Sequence, residues 1–272
     1  MVQPKQKEFA FSQKDFEQVR KRLLEITGIS LADSKDSMVY SRLARRLRSL
    51  KLSTFVEYLR YLDTHPDETE QFINALTTNL TSFFRESHHF GILTEHLQQH
   101  PRHHTIWCSA ASTGEEPYSI AMAAAEAFGR IDPPVSIIAT DIDSQVLRTA
   151  QQAVYPLKHL DKMSIARKRR FFFKGKGPNQ GKVKVVPELV KLIEFKKLNL
   201  LDKKWDIPSQ LDIIFCRNVM IYFDKPTQVD VLGRMVKLMR PDGLYFAGHS
   251  ENFNHMSSLL KPLGQTVYRP VR

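Results

Sequence analysis

Only two cysteines occur in the 272 residues. Cys108 and Cys216 each end an apolar, strand-like run, and neither stands at the spacing of a metal site, so the sequence predicts buried free thiols rather than a disulfide. Long apolar runs are also missing. None approaches the ~18 residues that a membrane span needs, and the N-terminal MVQPKQKEFAF lacks the apolar centre of a signal peptide. The expectation is a cytoplasmic protein that does not insert into a membrane. Neither GxGxxG nor GxxxxGK followed by Ser or Thr occurs, which excludes the common cradles for nucleotide phosphates. His88, His89, His103 and His104 cluster without ligand spacing and in polar context, so no metal is expected.

What the chain does have is a turn of small residues. TIWCSAASTGEEP, Thr105 to Pro117, runs from a short β-rich segment into an Ala-rich helical pattern. Pro117 suits the first helical position, where its missing N–H would have had no partner. Glu115 and Glu116 argue against phosphate and suit ribose hydroxyls or a cation. The turn therefore reads as a site for a nucleoside-like, positively charged molecule, and S-adenosylmethionine has that character. Tight packing with no ligand is the alternative for this segment alone.

The formal charge of +11 is uneven. Residues 1–51 hold 12 Lys+Arg against 6 Asp+Glu, residues 167–204 hold 13 against 3, and the remainder totals −5. Two basic segments beside an acidic chemical core suit an acidic macromolecular partner, or else supply solvated faces.

The first eighty residues read as helices. Ser12 with Asp15 and Thr54 with Glu57 have capping-box spacing, and Gly28 ends the first run. A third helix spans about Ser34 to Leu50, with Val39, Leu43, Leu47 and Leu50 as its apolar stripe and Lys35, Arg42, Arg45 and Arg46 within ~100° of arc on another side. From residue 105 short β-rich runs alternate with helical patterns: TIWCS, a helix from Pro117 to Phe128, VSIIAT, a helix from Ser144, LDIIFC, a helix from Thr227 to Leu238, GLYFAG and a last strand near QTVYRPV. That alternation predicts a parallel, doubly wound sheet that binds ligands beyond its strands' carboxyl ends. FFFKGKGPNQGKVKVV interrupts it and reads as antiparallel strands around a glycine loop. This insertion either merely covers the sheet or offers an edge for an acidic peptide.

Asp141 follows an apolar strand, where a doubly wound fold places an acid on ribose hydroxyls, while Asp143 and Ser144 are better placed to cap the next helix. In TNLTSFFRE, Thr78 to Glu86, Arg85 can take a ligand carboxylate bidentately or pair with Glu86 or Glu116. RNVMIYF brings Tyr222 near a strand end, where a phenol could aim an acceptor.

TNLTSFFRE, ASTGEEPYSIAM, ATDID, FCRNVMIYFDK and FAGHSENF, in this order, closely resemble the bacterial chemotaxis receptor methyltransferases. That family uses S-adenosylmethionine to methylate glutamates on chemoreceptors. The resemblance implies cofactor contacts from Asn79, Thr81, Arg85, Glu116, Asp141, Asn199, Leu200, Arg217 and Asn218, with Tyr222 beside the transferred methyl and Arg85 gripping the cofactor's carboxylate. It also implies an α/β fold: a small all-α receptor-recognition domain over 1–76, a linker over 77–104, and a methyltransferase domain over 105–272 with a three-stranded β-subdomain inserted at about 153–196. Arg42, Arg45, Arg46 and Arg48 would meet the receptor's methylation helices. The loop from Gly175 to Gly181 resembles that of members whose β-subdomain docks a receptor's C-terminal tail. A monomer is expected.

Two rival functions have their own signatures. A nucleic-acid base methyltransferase, which the sequence pI of about 9.6 suggests, typically carries an Asn/Asp-Pro-Pro-aromatic turn after the fourth strand. This chain has RNVMIY there, and IDPPV precedes the second strand instead, so no nucleic-acid partner is expected. A non-enzymatic receptor-binding module on the same scaffold is the other alternative, since fold alone does not fix function.

Overall fold

Local capping chemistry sets the helices of the N-terminal region. In the computed structural model, which describes residues 8–271, Ser12 accepts from Asp15 N–H while Asp15 reaches back to Ser12 N–H, and Gly28 closes the helix at φ 73°. Residues 1–7, part of the N-terminal segment and basic stretch discussed above, lie outside the described residues. Helix α1 is thus Gln13–Thr27, followed by α2 (Asp36–Leu50), α3 (Phe55–Thr64), which opens on the Thr54–Glu57 capping box, and α4 (Pro66–Leu76). Phe16, Val19, Leu23, Val39, Leu43, Leu47, Phe55, Tyr58, Leu62 and Phe72 form its buried interior. Leu50, expected in the stripe, is only half-buried. This unit runs through residue 78 and also contains residues 222–224.

The second unit comprises 79–221 and 225–272. It contains α5 (His88–Gln99), β1 (His104–Cys108), α6 (Glu115–Ala127), β2 (Val135–Asp141), α7 (Ser144–Gln152), β3 (Val154–Pro156), α8 (Ile165–Phe171), β4 (Phe172–Lys174), β5 (Lys182–Val185), α9 (Pro187–Val190), β6 (Ile193–Lys197), β7 (Leu211–Cys216), α10 (Lys225–Leu238), β8 (Met239–Ala247), β9 (Leu260–Gly264) and β10 (Val267–Pro270). The main sheet has the order β6-β2-β1-β7-β8-β10-β9. Its first five strands are parallel, and β10 runs antiparallel to both neighbours. The strand order reverses between β1 and β7, which makes that junction the switch point where doubly wound folds bind ligands. β3, β5 and β4 form the separate antiparallel sheet.

Three boundaries differ from the sequence reading. The stretch expected as a linker, 77–104, contains α5, which buries Phe90, Leu93 and Leu97 in the core of the sheet unit. The insertion ends before 193, because Ile193–Lys197 pairs in parallel with β2 as an edge of the main sheet. Helix α6 begins at Glu115 rather than Pro117. Gly114, at φ 98°, caps it, and Tyr118 N–H makes the first bond back to Gly114 C=O at 3.1 Å, so Pro117 still occupies a position that needs no donor. A Cβ on Gly114 would lie 2.7 Å from Tyr155 Oη and 2.8 Å from Ala150 Cβ, which leaves glycine as the residue that fits. No helix among the described residues is long and apolar enough to cross a membrane. Both cysteines are buried and unpaired.

Candidate active site

The carboxyl ends of β6, β2, β1, β7 and β8 open on one edge of the parallel sheet, and the loops leaving them are joined by hydrogen bonds. Asp141 ends β2 and accepts from Ser112 N–H at 2.8 Å and Asp143 N–H at 2.9 Å, while its own carbonyl takes Leu198 N–H at 2.9 Å. This draws the loops after β1 and β6 to the same acid. Burial pushes the Asp141 carboxyl up to about 6, with the two N–H bonds offsetting only part of that rise. Asn199 accepts Leu201 N–H at 3.0 Å in the turn after β6, and Leu200 is buried beside it. Asp143 caps α7 and also accepts from Asn79 Nδ2 at 2.8 Å, so the segment that precedes Arg85 is tied to the loop after β2. Thr81 is half-buried in that segment.

On the other side of the switch point lies a charge cluster. The Arg217 side chain, fully enclosed, donates to Glu116, to Glu86 at 3.0 Å and to the carbonyl of Arg85 at 2.7 Å, while its Nε has no partner among the described residues. Burial alone would raise the Glu86 pKa, but Arg217 and the His249 N–H outweigh it and hold Glu86 below the ordinary range. Cys108 Sγ donates to Glu116 at 3.4 Å, and burial beside that carboxylate pushes the thiol pKa well up. Asn218, at φ 59°, reaches Glu86 with its amide at 3.4 Å. Arg85 donates to Leu80 C=O at 2.8 Å and stands 4.0 Å from Glu86, with its guanidinium about one-third exposed. Phe84 and Glu86, at φ 53° and 55°, put strain on either side of it.

The sequence reading and the geometry part company at Glu115. It is buried with Thr113 Oγ1 at 2.6 Å and His159 at 3.2 Å, so of the two helix-opening carboxylates only Glu116 joins the cluster with Arg217. Glu86, Asp143 and Glu251 belong to the edge but were not singled out as site residues. Glu86 and Glu251 lie inside the motifs TNLTSFFRE and FAGHSENF, which was the available signal. Tyr222 is half-buried in a 3-10 turn, Met220–Tyr222, and its carbonyl accepts Ser30 N–H at 2.9 Å within the helical unit.

Of the four arginines on α2, Arg42 donates to the carbonyls of Ala75 and Thr77 at 3.1 and 2.6 Å, and Arg46 grips Glu68 bidentately at 2.9 and 2.6 Å. Arg48 pairs with Glu8 at the surface, and Arg45 is exposed. The arc of cations therefore presents Arg45 and Arg48 more openly than Arg42 and Arg46.

The electrostatic balance of the edge tests the expected cofactor. Glu116, Asp141, Asp143 and Glu251 are buried and Glu86 is largely so, while the guanidinium of Arg217 pairs with Glu116 and Glu86 and that of Arg85 with Glu86. A surplus of buried carboxylate disfavours phosphate and fits a ligand with a positive centre and hydroxyl donors. Among the described residues no group of three or more His, Cys, Asp or Glu could hold a metal ion.

A doubly wound sheet of this strand order with an acidic ligand edge and no phosphate cradle suits an S-adenosylmethionine-dependent methyltransferase, the class to which a family match assigns the chain. Residues 79–269 match the family described as CheR methyltransferase, SAM binding domain, and residues 14–77 match its all-alpha domain, so the chain belongs to the CheR methyltransferase family. It is 59% identical over 267 residues to chemotaxis protein methyltransferase 2 of Pseudomonas aeruginosa, covering 97% of this chain and 95% of that one. It is 49% identical over 261 residues to the chemotaxis protein methyltransferase of Salmonella typhimurium, covering 95% and 91%. The chain is a methyltransferase of chemotaxis.

Proposed function

We propose that this protein transfers the methyl group of S-adenosylmethionine to glutamate carboxylates on the cytoplasmic methylation helices of chemoreceptors, leaving a methyl ester and S-adenosylhomocysteine. The surplus of buried carboxylates around Arg217 supports this reading, because it favours a sulfonium over an anionic cofactor. Asn79, Thr81, Arg85, Glu116, Asp141, Asn199, Leu200, Arg217 and Asn218 hold the cofactor, Arg85 taking its carboxylate and Asp141 its ribose hydroxyls. The cofactor supplies an electrophilic methyl on a positively charged sulfur.

A glutamate acceptor, with a pKa near ~4.3, is already an anion at neutral pH and needs no general base. What remains for the protein is alignment in a dry site, and Tyr222 is assigned to orient the incoming carboxylate. Arg45, with Arg42, Arg46 and Arg48 on the same helix, meets the acidic receptor helix. The three-stranded sheet takes a receptor tail peptide, and the enzyme works as a cytoplasmic monomer without metal or nucleic acid. Incubation with methyl-labelled cofactor and receptor-bearing membranes, with and without the receptors' C-terminal tails, tests the reading. Base-labile label on receptor glutamates is expected, and its absence with both receptor forms would overturn it.

A further inference from the structure

The segment after β8, in FAGHSENF, holds a carboxylate whose hydrogen bonds go to backbone. Glu251 is buried, with Oε2 accepting from Asn218 N–H at 2.9 Å and from Gly248 N–H, and Oε1 accepting from Val219 N–H at 3.0 Å and Met220 N–H at 2.8 Å. Three consecutive N–H groups of one chain segment thus converge on one side chain. Such convergence requires a turn that points successive donors the same way, and Asn218 supplies it by adopting the left-handed region at φ 59°. Strands β7 and β8 are parallel neighbours with Cys216 opposite Ala247, so Glu251 reaches from the exit of one strand to the exit of the other.

Gly248 completes the arrangement. A Cβ there would press on the Asn218 amide and stand 2.8 Å from Asn218 N and 2.9 Å from Glu251 Oε2. Burial raises the Glu251 pKa, and the four N–H donors offset part of that cost.

We propose that Glu251 is a positioning residue for methyl transfer, its carboxylate clamping the backbone of Asn218–Met220 and thereby fixing the turn that ends at Tyr222. The proposal rests on the acceptor role given to Tyr222 above. Arg217 is held independently by Glu116 and Glu86, and of the assigned cofactor contacts the clamp touches Asn218, so its loss should bear on alignment more than on cofactor affinity.

Glu251→Gln keeps the shape but turns an NH2 group toward two N–H donors. In the full-length chain it should lower kcat for receptor methylation at least about tenfold per S-adenosylhomocysteine-binding site, with a clearly smaller rise in Kd for that product through Asn218. A merely structural role would reduce the number of binding-competent sites and leave kcat per site intact, and that result overturns the proposal. So does a loss of product affinity that matches the loss of kcat. Hydrogen exchange in the wild-type chain provides a readout that no variant's folding can spoil. Amides 218–220 should be strongly protected, and exchange at the rate of an open loop would overturn the clamp. If wild-type enzyme labels no receptor, the function assigned above fails, while amide protection still judges the clamp by itself.

Discussion

Arg46 and Arg217 are both turned inward onto carboxylates, one in each unit of the chain, but the charge around them closes differently. Arg46 meets a single carboxylate, Glu68, which also accepts from Tyr58 Oη at 2.8 Å, so one cation answers one anion. Burial and that bond to Glu68 push the Tyr58 pKa far up, which keeps the phenol a donor. Arg217 meets two carboxylates, Glu116 and Glu86, with Asp141 and Asp143 on the adjoining loops. A pair that only supports the fold balances itself. The ligand edge retains an excess of negative charge that a cationic ligand can complete.

The sharpest way to break this contrast is Arg217→Met. It leaves Glu116 and Glu86 buried without their shared cation and should cost about 3–5 kcal/mol in urea unfolding. A loss below about 1 kcal/mol would show that the two carboxylates do not depend on it. Arg85→Ala comes next. Its guanidinium, about one-third exposed, donates to Leu80 C=O and lies 4.0 Å from Glu86, so the fold should hold, while affinity for S-adenosylhomocysteine falls by the ~1.5–3 kcal/mol of a charge-assisted pair. Near-normal affinity by titration calorimetry would remove Arg85 from the cofactor site.

Acid sharpens the comparison. Burial raises Asp141 from 3.8 to about 6, so the folded chain binds its proton more tightly than the unfolded chain does. The stability it contributes is present below pH 3.8 and is lost as the pH rises through 6, which makes ionised Asp141 a cost at neutral pH. With the ribose contact proposed for Asp141, hydroxyls donating to the ionised form would offset that cost. Product affinity should therefore weaken as the pH falls below about 6, by up to about tenfold per unit. Asp141→Asn should flatten the profile measured by calorimetry between pH 5 and 7.5.

Smaller effects belong to the helical unit. Arg46→Met should cost about 1–2 kcal/mol, because Glu68 is buried and the arginine partly exposed, and should leave product affinity within about twofold. Arg45→Ala should change stability by less than about 0.5 kcal/mol and raise KM for receptor alone, as initial rates at varied receptor concentration would reveal.

Features written locally were legible in the sequence. Ser12 with Asp15, Thr54 with Glu57 and Gly28 mark helix ends because each cap involves neighbours three or four residues apart. The strand ends carrying Asp141 and Arg217 were likewise visible from apolar runs. Helix α5 was not, since its preceding Ser87 makes no side-chain cap and Gly91 interrupts the pattern. β9, LKPLG, carries a proline and shows little alternation, and it too escaped. The long-range partners were hardest to read. Arg42 bonds to carbonyls 33 and 35 residues away, and Arg217 to carboxylates 101 and about 131 residues away. No spacing rule along the chain encodes such pairs.

The two enclosed thiols have a practical consequence. Burial, with a carboxylate nearby, keeps Cys108 protonated, and burial pushes Cys216 up to about 12, so neither offers a thiolate to alkylating reagents while the sheet stays shut. Because Cys108 leans on Glu116 at 3.4 Å, its capture by iodoacetamide becomes an irreversible clock for breathing at the heart of the catalytic edge, with Cys216 as an internal reference one strand away.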